Sequence, residues 1–451
     1  MMKIKIEKNI EENNKKNKKS SFLNIKISVN EKDLLAIMKI NSSDILKIIP
    51  NPTKESLDLL YFVSYIYTID KLVRRRWFID NWTRDIEVSI PVSNVNLWNQ
   101  AKKDLKKGLD FLTGDNWVIS FEELEEEYFK IGKLDIEETK KFNKICLFSG
   151  GLDSLVGAID LIDENESVLL ISHSDGYGAV KKAQNNIYNS ICESYKEKNI
   201  KLGQHHIFSN YNRKTLHEPT TRGRSILFLG LGIFYAMNLE NDKVYATENG
   251  VISINLPLTQ SRSSSNSTRT MHPYFLSQLE KALEKLNIDI KIENPYLYKT
   301  KGEMLNDCKN QNLLKELFKQ TVSCSHSTHR RTWKRKKKRY TKNCGYCIPC
   351  LIRRASVNAL GIDLDNYCQY GVDILNENER EEIISKKEDS KVPNDFKAIS
   401  YFLSKNLKEN DIREEIITVA PTENIDKISK MLIRGYDEIR QLISNKTIKK
   451  V

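Results

Sequence analysis

Hydrophobic and polar positions alternate at Leu23, Ile25, Ile27 and Val29, as in a half-buried strand. Leu57, Leu60, Tyr61, Ser64 and Tyr65 then recur at helical spacing. Ile86, Val88, Ile90 and Val92, set against Asp85, Glu87 and Ser89, predict a second strand. Leu97, Ala101, Leu105, Leu109 and Leu112 predict a helix stopped by Gly114, and Trp117, Ile119 and Phe121 restart the alternation. Without a strand–helix–strand rhythm, this stretch reads as a small α+β domain over 21–138, preceded by a loose polar Lys/Glu/Asn tail at 1–20.

From Lys144 the pattern changes. Ile145-Cys146-Leu147-Phe148 is a short apolar run ending in Ser149-Gly150-Gly151, and Leu155, Ala158, Ile159 and Ile162 form one face of a helix. Strand 168–172, helix 179–198, strand 206–209, helix 224–238 and strand 244–247 follow. Such repetition predicts an α/β, doubly wound parallel sheet with helices on both faces, over 139–320. A cysteine-rich module occupies 321–365. Beyond it, Ile425, Ile428, Leu432, Ile439 and Leu442 mark an amphipathic helix in a helical C-terminal extension, 366–451.

Composition narrows the class. A chain of 451 residues with 39% hydrophobic and 29% charged side chains suits a soluble globular protein of several domains and excludes a wholly disordered one. The longest apolar stretch, Leu227 to Leu239, is too short to span a bilayer and contains Gly230 and Gly232, so no membrane partner is expected. Eight cysteines in a chain this long make no disulfide framework, and Lys3, Lys5 and Lys8 stand where a signal peptide would be apolar; the expected location is the cytoplasm. The net charge is +12, yet the loop 326–343 holds nine basic residues and no acidic one, and the rest of the chain carries only +3. That loop has the charge to hold a nucleic acid, but an exposed charge-rich loop is the commoner outcome and nucleic-acid binding is not expected.

The stretch Ser149-Gly150-Gly151-Leu152-Asp153-Ser154, between strand and helix, has the make-up of a phosphate cradle. The glycines admit oxyanions to the backbone, the hydroxyls donate, and the helix N-terminus is positive. Two glycines alone would read as an ordinary turn; flanking serines and an internal aspartate argue for more. No lysine follows as in a Walker A loop, which points to binding the pyrophosphate released by adenylation. Asp153 is the candidate Mg²⁺ ligand, and Ser149, Gly150, Gly151 and Ser154 the candidates for ATP phosphate oxygens. Cys344, Cys347 and Cys350, with Cys324 returning as a fourth ligand, favour a closed tetrahedral Zn²⁺ site over an iron–sulfur cluster or a catalytic thiol pair. Cys146, Cys192, Cys308 and Cys368 read as packing residues. Trp82, Trp98 and Trp117 read as core rather than ligand cage, and Arg74-Arg75-Arg76 as a solvated helix end.

The sequence resembles the PP-loop ATPases and, among them, the 7-cyano-7-deazaguanine synthase family. The resemblance rests on Ser149 to Ser154, on Arg222-Gly223-Arg224-Ser225 before Leu227-Phe228-Leu229, on Thr300-Lys301-Gly302-Glu303-Met304, on Thr321-Val322-Ser323-Cys324, and on Cys344 to Cys350 with Arg353. It implies an enzyme that uses ATP and Mg²⁺ to adenylate a 7-deazaguanine carboxylate, releasing pyrophosphate, with ammonia then giving an amide and a second activation a nitrile. Arg224 and Lys301, at predicted helix starts, would balance the departing pyrophosphate. Glu248, the only acid between the fourth strand of the sheet and Glu280, would accept the two Watson–Crick-edge donors of the deazaguanine; its alternative is to cap a turn with Asn249-Gly250. Arg269 would meet the substrate carboxylate, with the Ser-rich segment around it as a lid.

Three features depart from that family. Long segments flank the matching region, Glu248-Asn249-Gly250 and Ser261 to Pro273 stand where the family has a Tyr-Pro-Asp-Cys-Arg run, and the basic loop is longer. In these respects, and in Trp82-Thr83-Arg84, Ile90-Pro91-Val92, Trp98 and Phe111 to Asp115, the chain looks like the synthase-like ATPases of bacterial anti-phage operons, the Qat and type IV CBASS systems. This second resemblance implies attachment of a 7-deazaguanine derivative to a partner protein from the same operon. Free nitrile synthesis for tRNA modification, another PP-loop tRNA-modifying activity, and a zinc-bearing scaffold remain the alternatives.

Overall fold

The computed structural model describes residues 2–9, 22–29, 32–125, 141–174, 178–205, 207–210, 218, 220, 222–258, 269–325, 342–361, 370–385 and 394–444. Its centre is a five-stranded sheet made of β6 (Lys144–Leu147), β7 (Ser167–His173), β8 (Asn199–His205), β10 (Lys243–Tyr245) and β11 (Lys291–Glu293), in the order β11-β10-β6-β7-β8. Every pairing is parallel. The inner strands are apolar on both faces because both are covered. Ile145, Leu147, Leu169 and Ile171 join one core, and Cys146, Phe148, Val168 and Leu170 the other. On the second face lie α4 (Leu152–Glu164), α5 (Gly178–Ser194), α9 (Lys301–Asn306) and α10 (Gln311–Leu317); on the first lies α6 (Gly223–Asn238). The chain runs outward from β6 to β7 and β8, then returns past β6 to β10 and β11. The connections after β6 and β10 therefore part company, opening a crevice at the carboxyl ends of those strands.

A second, six-stranded sheet has the order β5-β4-β1-β2-β3-β9, from β1 (Met2–Asn9), β2 (Phe22–Val29), β3 (Lys32–Asn41), β4 (Asp85–Val92), β5 (Asn116–Glu123) and β9 (Ile207–Asn210). It corrects several expectations. Residues 2–9 form a strand paired to both β2 and β4, where a loose tail was expected: Met2, Ile4 and Ile6 turn inward between exposed Lys3 and Lys5. The rest of that tail, 10–20, lies outside the described residues. A strand–helix–strand unit is present after all, since β4, α3 (Val95–Thr113) and β5 are joined with β4 and β5 parallel. Residues 207–210 pair antiparallel with β3 rather than entering the parallel sheet, whose strand at that place is 199–205. Alternation marks a strand; it does not name the neighbour.

Between the sheets lies α2 (Lys54–Leu72), buried without interruption over 56–70. A helix apolar on every side needs partners all round, and α6 is one of them. The two helices approach so closely that a Cβ on Gly230 would stand 2.6 Å from the Val63 methyl carbons. Trp98 and Trp117 are core residues, as expected, while Trp82 is partly buried. Arg75 is not solvated: it is buried and ion-pairs with Asp115 at 2.8 Å.

The C-terminal extension adds α12 (Glu377–Ser385), α13 (Asn394–Ser404), α14 (Glu409–Val419) and α15 (Ile425–Ser444). Together with α7 (Gly250–Ile254) and α11 (Ile348–Ala359), the last three of these enclose a third apolar cluster that includes Cys344, Cys347 and Cys350. Among the described residues, no helix is long and apolar enough to cross a membrane.

Candidate functional site

The loop after β6 is shaped by what surrounds it. Gly150 is in the left-handed region, φ +78°, where a side chain is strained, and a Cβ there would come within 2.9 Å of Gln184 Cγ. Gln184 of α5 lies beneath the loop, donating from Nε2 to the carbonyls of Ser149 (3.2 Å) and His173 (3.3 Å). Its own Oε1 accepts from Gln204 at 3.0 Å. From the other side, Val322 N donates to the Gly150 carbonyl at 3.0 Å, and Ser323 Oγ accepts from Leu152 N at 3.1 Å. That serine takes up a free amide at the start of α4, where Gly151 offers no side-chain cap. The hydroxyls of Ser149 and Ser154 face each other at 3.3 Å.

Both serines line a cavity of about 280 Å³ with Leu147, Arg224, Phe228 and Glu248. Arg224 rides on the first turn of α6 with its guanidinium 5.1 Å from the Phe228 ring. Its Nε is buried and has no hydrogen-bond partner among the described residues. Glu248 follows β10 across the crevice, and Asn294 fixes its backbone by accepting from its N–H (3.3 Å) and donating to its carbonyl (2.8 Å). The turn cap is Asn249, whose Oδ1 accepts from Ile252 N at 3.2 Å, which leaves the Glu248 carboxyl to the cavity, accepting from Thr270 Oγ1 at 3.2 Å. Burial, and then the negative charge of Asp153, lift that carboxyl to about 7 against the opposing pull of Thr270 and Lys301.

Asp153, one residue into α4, is held from two sides. Lys301 Nζ lies 2.9 Å from Oδ1, and Asn249 donates to Oδ2 from its side chain at 2.7 Å and its backbone at 3.3 Å. Lys301 opens α9, whose Thr300 and Glu303 form a capping box. Glu438 of α15 fastens that turn, accepting from Thr300 Oγ1 and from Gly302 N at 3.3 Å.

The four expected metal ligands converge, with all their sulfurs within 4.8 Å of one another. Cys344 and Cys350 sulfurs are 3.8 Å apart, and those of Cys347 and Cys324 3.9 Å. A regular tetrahedron of ~2.3 Å zinc–sulfur bonds has edges of roughly 3.8 Å, so the set fits zinc. Backbone amides of Cys344 and Cys347 donate to the Cys324 and Cys344 sulfurs at 3.2 and 3.3 Å, easing the charge four thiolates would bring.

Of the residues singled out in the sequence, Ser149, Ser154, Arg224 and Glu248 share one cavity; Gly150 and Gly151 lie in the same loop as the two serines, and Asp153 pairs with Lys301 beside it, none of these four lining the cavity itself. Arg269 does not reach it. Its guanidinium lies 4.4 Å over the Phe111 ring and donates to the Phe111 carbonyl at 3.1 Å, although its neighbours Thr270 and Met271 line the cavity. Most of the Ser-rich lid, 259–268, and of the basic loop, 326–341, lies outside the described residues. Gln184, Asn249 and Asn294 were missed, since each acts through partners distant in the chain; Ser323 at least stood beside Cys324.

A parallel sheet whose first strand ends in this loop, at the point where the connections diverge, defines an α/β PP-loop domain. Residues 143–361 match the model of the family described as Queuosine biosynthesis protein QueC, and the chain thus carries a QueC family domain. That family consists of ATP-dependent PP-loop synthases that form a carbon–nitrogen bond through an adenylate, with ATP and Mg²⁺ and a deazaguanine substrate. No curated protein matches the chain. The match contains the loop, the cavity-lining helix and the cysteine set; most of the six-stranded sheet and the last four helices fall outside it.

Elemental analysis of freshly purified protein should find one zinc ion per chain. Cys344→Ser should lose it and loosen the phosphate loop, read as faster amide exchange at Gly151 and Leu152. Iron in place of zinc, or a zinc-free protein with that exchange unchanged, would contradict the assignment.

Proposed function

We propose that this protein adenylates a 7-deazaguanine carboxylate and passes the activated deazaguanine to a partner protein in anti-phage defence. The observation that carries the first half is the single cavity lined by the Ser149 and Ser154 hydroxyls on one side and the Glu248 carboxyl on the other. A nucleotide phosphate and the donor edge of a deazaguanine would occupy it together. Ser149, Ser154 and the amides of Gly150 and Gly151 hold phosphate oxygens. Asp153 would hold Mg²⁺, which when bound offsets phosphate charge. The substrate carboxylate oxygen attacks the α-phosphorus, the bond to the bridging oxygen breaks, and pyrophosphate leaves with Arg224 balancing its charge. Lys301, paired with Asp153 at 2.9 Å, shares the cationic task. A nitrogen nucleophile then attacks the acyl carbon and AMP departs. The second half is supported by the likeness of the flanking segments to the defence-operon enzymes.

Asp153→Asn keeps the shape and the Asn249 contact but removes the charge; AMP and pyrophosphate release should stop with the fold intact. Wild-type products of ADP and phosphate would reject adenylation.

Glu248 accepts two donors only when ionised. Its acid constant is raised from the usual carboxylate range to about 7, so a ligand that selects the anion binds more tightly as pH rises through 7 and levels off above it. Calorimetry with a 7-carboxylated deazaguanine should show that rise, and Glu248→Gln should bind weakly at every pH while ATP binding persists. Equal affinity for both ligands in the variant removes Glu248 from the substrate.

A co-expressed operon partner should gain mass equal to the deazaguanine acyl group. Unmodified partner with free nitrile in solution would reverse the second half of the proposal.

A further inference from the structure

Where the six-stranded sheet meets α6, five charged side chains are buried together: Asp70, Arg75, Arg84, Asp115 and Arg222. Arg84 bridges Asp70 and Asp115, Arg75 holds both Asp115 oxygens at 2.8 and 3.1 Å, and Arg222 donates to the Thr113 carbonyl. Buried ion clusters rarely add net stability over apolar packing, because desolvation offsets most of the attraction. What such a cluster supplies is a fixed geometry.

The geometry ends on one helix turn. Arg222 precedes α6 and gives it no side-chain cap. Asp70, from α2, takes the role: its Oδ2 accepts from Gly223 N at 2.8 Å and from Thr220 Oγ1 at 3.2 Å. A Cβ on Gly223 would stand 3.0 Å from both Asp70 Cβ and Oδ2, so the clamp relies on glycine there. The next residue is Arg224, in the cavity wall with its Nε buried and unpartnered among the described residues. An arginine in that state is prepared for an anion that the protein itself does not provide.

We propose that Asp70, outside the family-matched segment, is a positioning residue: its carboxylate pins the first turn of α6 so that Arg224 faces the phosphate-loop cavity. This rests on the reading of Arg224 as the cation for the departing pyrophosphate.

A double-mutant cycle tests it, with inorganic pyrophosphate plus Mg²⁺ as the probe and calorimetric affinity as the readout on the full chain. Asp70→Asn should weaken pyrophosphate binding by about tenfold, the scale of one charge-assisted hydrogen bond. In an Arg224→Ala background the same change should cost less than about twofold, because the group it positions is gone. A purely structural role would give equal losses in both backgrounds, and that result overturns the inference while leaving Arg224 in place. Full pyrophosphate affinity in Arg224→Ala alone overturns the reading of Arg224 and the inference with it. Should Asp70→Asn fail to fold, Gly223→Ala, whose added carbon presses first on Asp70 and less closely on the Tyr67 backbone, carries the same cycle with the same expected non-additivity.

Discussion

The left-handed turn at Gly150 is the constraint on which the site depends. It directs the loop carbonyls of Ser149 and Gly150 away from the cavity, to Gln184 and to Val322. The serine hydroxyls and the start of α4 are left for phosphate. Because Val322 and Ser323 lead directly into Cys324, the cysteine set is a brace for this turn rather than a remote ornament. Cys350 reinforces the link by facing the Ser323 carbonyl at 3.9 Å. A metal there would tie the order of the loop to the order of the cysteines without entering the chemistry.

The site also draws on all three cores of the molecule. Asp153 sits where α4 and α9, which share one core, meet the turn at Asn249, which leads into a second, while the helix of Arg224 belongs to the third. Lys301 faces it from a helix secured by Glu438 of the last helix, while Arg224 faces the cavity from a helix secured by Asp70 of the second. The flanking segments thus grip the catalytic domain at two opposite cationic positions. Charge in the cavity is balanced closely: an aspartate with its lysine, a carboxyl poised near neutrality, and one arginine free of protein anions among the described residues.

The features legible in the sequence are those whose parts adjoin in the chain. The phosphate loop needs only six consecutive residues, and the cysteine set needs a spacing of three plus one return. The parallel sheet announced itself through repeated apolar runs. What the sequence hid depends on meetings between distant segments. Arg75 looked solvated because Asp115 is 40 residues away. Residues 207–210 looked like another parallel strand because nothing in their alternation says that β3 is their neighbour. Arg269 has the right charge for a carboxylate, but the Phe111 ring claims it.

The burial of α2 bears on how the chain is made. Synthesis delivers β1 to β5 and α2 first, yet α2 has an apolar side packed against α6, and β3 keeps an open edge until β9 arrives. The ribosome must add Asn238 before the six-stranded sheet can close over its helix. Until then a sticky helix and an unpaired strand coexist in the nascent chain, the combination most prone to capture by other chains. The packing of α2 and the pairing of β3 are therefore complete only when the two sheets are joined, late in the order of synthesis.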